Sequence, residues 1–197
     1  MAVDPQALAL AQQQEMFFRD PLQNPIVPGV NGTLFLLRRD LNDLPVGAAL
    51  WPRVMAMFAG IDLLAKFYDN SDATQHGEIG RRFRRFVARF ITQDNTQDSA
   101  NNYAVWHCRN SVLHSFGWYS QGGGHTYRFS LTQSPDTWIV HQSAANPENW
   151  LFNIQHFETR FHASIGEYEA LIDDPAEPVQ FPSGNNIFER YGWMFIG

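Results

Sequence analysis

The chain has 197 residues, 44% of them apolar and 17% charged, with 14% aromatic residues and a net charge of −6. That is a globular composition with rings enough for a large aromatic core, and the acidic balance excludes a general nucleic-acid coat, whose phosphate contacts need clustered cations. A lone cysteine, Cys108, leaves no internal disulfide to form and fits a reducing compartment. No run approaches the roughly 20 apolar residues that cross a bilayer, and no secretory leader pattern is seen, so a cytoplasmic protein is expected.

In chain order, residues 5–19 read as a short helix with Asp4 as N-cap and Pro5 in its first turn. Residues 20–47, punctuated by Pro21, Pro25, Pro28, Gly29, Gly32, Pro45 and Gly47, read as loop with a short extended piece at Thr33–Leu37. Val54, Met57, Phe58, Ile61, Leu64 and Ala65 recur at helical spacing and predict a helix over 52–68, closed by Asp69-Asn70-Ser71-Asp72. Another helix is expected over 78–92, with Ile79, Phe83, Phe86, Val87, Phe90 and Ile91 inward and five arginines between them. A polar loop from Asp94 to Asn101 leads to a further helix over 100–117, for which Ser99 is the cap and Gly117 the stop.

Gln121-Gly122-Gly123-Gly124 reads as a flexible connection. Tyr127, Phe129 and Leu131 alternate with polar residues, and with Trp138 to His141 beyond Ser134-Pro135-Asp136 they predict a β-hairpin over 125–142. Asn146-Pro147-Glu148 is a helix-start signal, and Trp150, Leu151, Ile154, Phe157, Phe161, Ile165 and Tyr168 form one stripe that Asp173-Asp174-Pro175 ends. Residues 175–197 are a tail whose Phe188, Tyr191, Trp193 and Phe195 are expected to pack back on the body. One mainly α domain over 1–197 is therefore expected, a helical bundle carrying one inserted β-hairpin, with 1–47 as an N-terminal helix and loop.

The chemistry-bearing stretch is WHCRNSVLHSF over 106–116. Asn110 and His114 are four residues apart and share a helix face, and the long Arg109 side chain can curl towards them. A cation and two polar groups on a mostly apolar helix are costly to bury without partners, so a second element, a second subunit or a ligand is expected to meet them.

Arg109-Asn110-Ser111-Val112-Leu113-His114 resembles the signature of the HEPN superfamily, an arginine often followed by a polar residue and then a histidine a few positions on. The resemblance covers this motif and the general helical layout. It implies an all-helical fold, a homodimer with the two signature helices facing each other, and in active members a metal-independent endoribonuclease of toxin or phage-defence type. An antitoxin protein is a partner of that setting. By the chemistry, His114 would move a proton during attack by the RNA 2′-hydroxyl. Arg109 would stabilise charge on the phosphoryl oxygens, and Asn110 would orient one or the other. One toxin subgroup of the family carries a modifiable tyrosine two positions after the histidine, where this chain has Phe116.

Other readings stand beside this one. Arg109, Asn110 and His114 equally suit a structural polar network, in which case the protein is a non-catalytic helical module binding a protein partner or a small ligand in an interhelical groove. Among the five arginines, Arg81, Arg82 and Arg85 are candidate RNA contacts, although such a run is commonly a solvated, ion-paired face. Asp62 is a candidate neighbour of the site, but Asp62 and Lys66, at i and i+4, read more simply as a surface ion pair. No metal and no cofactor are expected: His107 and Cys108 diverge by about 100° on a helix and no Cys/His pair follows. The glycines at 122–124 lack the Lys-Ser/Thr of a phosphate loop, and Ser111 lies mid-helix without a nucleophile elbow.

Overall fold

The computed structural model describes residues 8–19, 26–44, 49–94, 96–176, 179, 181–182 and 187–195. The expected Asp4 cap and Pro5, the prolines at 21, 25 and 45, and Gly47 lie outside these residues. The first helix, α1 (Leu10–Phe18), starts at an Ala9 N-cap and buries Met16, Phe17 and Phe18.

Helix α2 (Thr33–Asp43) occupies ground where an extended piece was expected, and that expectation is corrected. Leu34 and Leu41 are buried seven residues apart, a helical spacing that the local alternation at Leu34 and Leu36 concealed. The extended residues are the three before it, β1 (Val30–Gly32), which pair antiparallel with β6 (Trp193–Phe195) from the far end of the chain. Gly32 has to be glycine there, since a Cβ would lie 1.9 Å from the Met16 carbonyl oxygen.

Helix α3 (Leu50–Tyr68) is the central rod and packs against α2, α4 (His76–Phe86), α5 (Ala100–Ser115) and α6 (Ile154–Ile172). Helix α4 (His76–Phe86) runs on into a π-helical turn, Val87–Ile91, and α5 (Ala100–Ser115) follows as expected. The wall between them is built of rings: Phe58, Phe67, Phe83, Phe86, Phe157, Phe161 and Tyr168 are all solvent-excluded. Phe17 stacks on Phe67 at 4.1 Å, and Gly60 admits the Phe161 ring, which a Cβ would approach to 2.7 Å.

The chain is not the helical bundle with an inserted hairpin that periodicity suggested. Of the described residues 57% are helical and 15% are in strands, and a four-stranded mixed sheet makes the architecture α/β in kind. Its strands are β2 (Tyr119–Gly122), β3 (His125–Thr132), β4 (Val140–Gln142) and β5 (Asn149–Asn153), in spatial order β2-β3-β5-β4. The expected 125–142 hairpin does not exist, because β5 inserts between its two arms. It runs parallel to β3, with Phe129 opposite Trp150, and antiparallel to β4, with Val140 opposite Phe152. The hairpin present is β2–β3, and Gly123 and Gly124, at φ of 59° and 80°, form its turn in place of a loose connection.

The last long helix is likewise shorter than the sequence stripe. Residues 149–153 are strand, with Trp150 and Phe152 buried and Leu151 exposed, and α6 (Ile154–Ile172) begins only after them. Asn153 makes the switch. Its Oδ1 accepts from the His156 N–H at 3.4 Å as the N-cap, while its amide donates to the Ser134 and Asp136 carbonyls at 3.1 and 3.0 Å. In the tail, a helical turn at Phe188–Gly192 buries Phe188 and leads into β6, which does pack back on the body. No helix among the described residues is long and apolar enough to cross a membrane.

Candidate functional site

Helix α5 lies between α3 and α4 on one side and the sheet on the other. Its start is pinned by Ser99, whose hydroxyl accepts from the Asn102 N–H at 3.2 Å and donates to Asp94 at 2.6 Å. Buried Asn102 in turn donates to the Thr96 carbonyl at 2.8 Å and accepts from Thr92 at 2.6 Å. The far end closes with Phe116 in the left-handed region at φ 47° and with the Gly117 N–H on the Ser111 carbonyl at 3.1 Å.

Arg109, Asn110 and His114 come together at that end. The guanidinium donates through Nη1 to Asn110 Oδ1 at 3.0 Å and stands 2.8 Å from His114 Nε2. Only an acceptor nitrogen can sit there facing a guanidinium, so the proton of the neutral imidazole belongs on Nδ1. The opposite edge of the guanidinium grips Asp62 of α3, with Nε at 2.8 Å from Oδ2 and Nη2 on the same oxygen. The Trp106 ring supports it from beneath at 5.1 Å. Burial raises the Asp62 carboxyl above its ordinary range, and Arg109 acts against that rise.

Asp62 is thus a member of the site, and its expected surface pairing with Lys66 is corrected. Lys66 lies 3.9 Å from the centre of the Tyr191 ring, and burial lowers its pKa. A signal for this existed: Asp62 is the sole acid over 50–68, set among apolar residues at 54–65, and a buried acid calls for a cation beside it.

Asn110, Ser111, His114 and Ser115 line a groove of about 580 Å³ whose far bank is Tyr119 to Gly123 of the sheet. His114 is exposed, so the cluster meets solvent at its histidine while Arg109 is anchored inside. His107, which the sequence weighed only as a metal ligand, is buried. It stacks on Tyr127 at 4.2 Å and 14° and shares a hydrogen bond with Ser120 Oγ at 2.9 Å. Among the described residues no group of three His, Cys, Asp or Glu could hold a metal ion. Cys108 is buried, which pushes its thiol pKa up, and Ser111 Oγ donates to the Cys108 carbonyl at 2.8 Å.

The three candidate RNA-binding arginines separate. Arg82 is 3% exposed and donates to the Ser71 and Ala73 carbonyls at 2.7 and 3.3 Å, closing the α3–α4 turn. Arg81 and Arg85 reach solvent, each beside a carboxylate, Glu78 and Asp69 respectively. Arg84, between them, lies over the Tyr103 ring at 4.2 Å and pairs with Asp98 at 3.2 Å.

Compared with family models, curated proteins and solved structures, the chain matches none.

Proposed function

We propose that the chain is a HEPN-like, metal-independent endoribonuclease that acts as a homodimer. The carrying observation is the Arg109 guanidinium, fixed by Asp62 within and presenting one edge to Asn110 and His114 at a solvent-open groove. In this reading an RNA phosphate takes the place of His114 at Arg109 Nη1, and the freed Nε2 takes the proton of the RNA 2′-hydroxyl and later returns it to the departing 5′-oxygen. Arg109, held by Asp62 and Trp106, then gives the Nη1 donor released by His114 to the phosphoryl oxygens as they gain charge. The second copy would bring another such set to the same cleft, and exposed Phe116 at the helix end offers an apolar contact for it. The toxin or phage-defence setting, an antitoxin partner and a cytoplasmic location rest on the resemblance and on the lone buried thiol.

Incubating the protein with single-stranded RNA in EDTA tests this. Cleavage should leave 2′,3′-cyclic phosphate ends, and His114→Ala should lower the rate by roughly 10²- to 10⁴-fold with an unchanged circular dichroism spectrum. Cleavage that is indifferent to His114→Ala would remove the proposal. One observation favours the second reading, a non-catalytic binding module: Asp62 already neutralises the Arg109 charge inside the chain. That reading requires RNA or another ligand to bind without any strand scission.

A further inference from the structure

A second cavity, of about 840 Å³, adjoins the His114 groove, and Tyr103, His107, Gly122 and Gly123 line both. Its walls include the rings of Tyr103, Tyr127 and Trp150 and the carboxylates of Asp98 and Glu148, and no Lys or Arg is among its lining residues. Tyr127 lies nearly parallel to His107 beneath it and to Phe129 beside it, at 14° and 11°. At the lip, Gly123 and Gly124 leave the turn bare, with nothing within 4 Å of the place a Cβ would occupy.

We infer that this cavity binds a purine base of single-stranded RNA, next to the nucleotide whose phosphate meets Arg109 and His114; the inference rests on the nuclease reading above. Three properties argue for a base. Parallel rings extend naturally onto one more flat π surface, and stacking is tolerant of which base supplies it. The carboxylates of Asp98 and Glu148, paired with Arg84 and Arg128, still have oxygen lone pairs that can accept a hydrogen bond from the exocyclic amino group that adenine and guanine carry and uracil lacks, and fused purine rings offer more stacking area than a pyrimidine. The cavity also shares Tyr103, His107, Gly122 and Gly123 with the groove that holds Asn110 and His114, so one strand can reach both. A small organic cation would also suit the acids and the rings, and tetramethylammonium serves as the probe for it below.

The test titrates the full chain with adenosine, guanosine and uridine 5′-monophosphates, ribose 5-phosphate and tetramethylammonium, following backbone amide shifts around Tyr103 and Gly123. Purine nucleotides should bind at least about ten-fold more tightly than uridine monophosphate, as expected for larger stacking area and a charge-assisted hydrogen bond from an exocyclic amino group that uracil lacks. Ala100→Phe, which intrudes from the exposed first residue of α5, and the isosteric Glu148→Gln at an exposed position should each weaken purine binding at least about five-fold. Equal binding of all three nucleotides, binding of tetramethylammonium in their place, or purine binding untouched by both variants overturns the inference. Cleavage of a randomised RNA separates it from the nuclease reading. Cleavage indifferent to base, with no purine binding, retains the nuclease and removes the subsite. Purine binding blocked by Ala100→Phe, with no RNA cleaved, retains the purine site and removes the nuclease.

Discussion

Arg109 and Asp62 face each other across α5 and α3 with Nε 2.8 Å from Oδ2, and both side chains are largely withdrawn from water. This contact turns a flexible cation into a fixed one. It directs Nη1 outward to Asn110 and His114, and it supplies the compensating charge that the buried guanidinium needs.

Breaking that pair from either side should be costly. Arg109→Leu leaves a buried carboxylate without its partner, a loss of roughly 3 kcal/mol or more. The Asp62 carboxyl is already raised by burial, and without Arg109 it rises further. Its folded form then holds a proton that the unfolded form has lost, so stability increases as pH falls through the folded-state value towards the unfolded one. Urea midpoints at pH 7.5 and 5.5 should show the variant recovering part of its deficit at the lower pH. An equal deficit at both would contradict the burial of Asp62.

Gly122 passes over the His107 ring so closely that a Cβ would lie 2.3 Å from Cε1. Gly122→Ala should therefore displace the imidazole, disturb its stack on Tyr127 and cost about 1–3 kcal/mol as an overpacked contact. Near-ultraviolet circular dichroism and thermal melts measure the two effects, and an unperturbed melt would place β2 further from α5 than described here.

The Tyr168 hydroxyl is buried among the rings of Phe18, Tyr68, Phe86 and Phe90 and has no hydrogen-bond partner among the described residues, and burial drives its pKa well up. Tyr168→Phe removes an unsatisfied polar group while keeping the ring. Stability should rise by about 1 kcal/mol, read from denaturant midpoints at constant slope.

Phe116 holds a left-handed backbone at φ 47° while 71% exposed, two unfavourable conditions at one residue. Phe116→Gly should stabilise the monomer by up to ~1 kcal/mol, since glycine adopts that backbone without the Cβ penalty. If the ring contacts a second copy, sedimentation should also show weaker self-association. Unaltered association would move the dimer contact elsewhere.

Much of the helical framework was legible. The spacing of Val54, Met57, Phe58, Ile61 and Leu64 marked α3, and Ser99 capped α5 as its position suggested. The juxtaposition of Arg109, Asn110 and His114 also followed from helix periodicity, since it needs only one element. Errors clustered where a short apolar run satisfies both periods. Trp150, Leu151 and Ile154 fit a helix stripe as well as a strand, and only the β3 and β4 hydrogen bonds on either side decide for the strand. The Thr33–Leu37 piece failed for the mirror reason, because the partner of the true extended segment, Trp193–Phe195, is some 160 residues away.

What the amino-acid order determined by itself is local: helices where apolar residues recur at 3.6, caps where a hydroxyl or amide precedes them, and two polar groups on one helix face with an arginine one step round. Tertiary structure alone decided which strands became neighbours, that Asp62 leaves Lys66 for Arg109, and that rings from α5, β3 and β5 wall a cavity beside the histidine. Local order sets a residue's direction within its own element. Strand neighbours and buried charge partners are chosen by packing and desolvation summed over the whole chain, and no window of a few residues contains that sum.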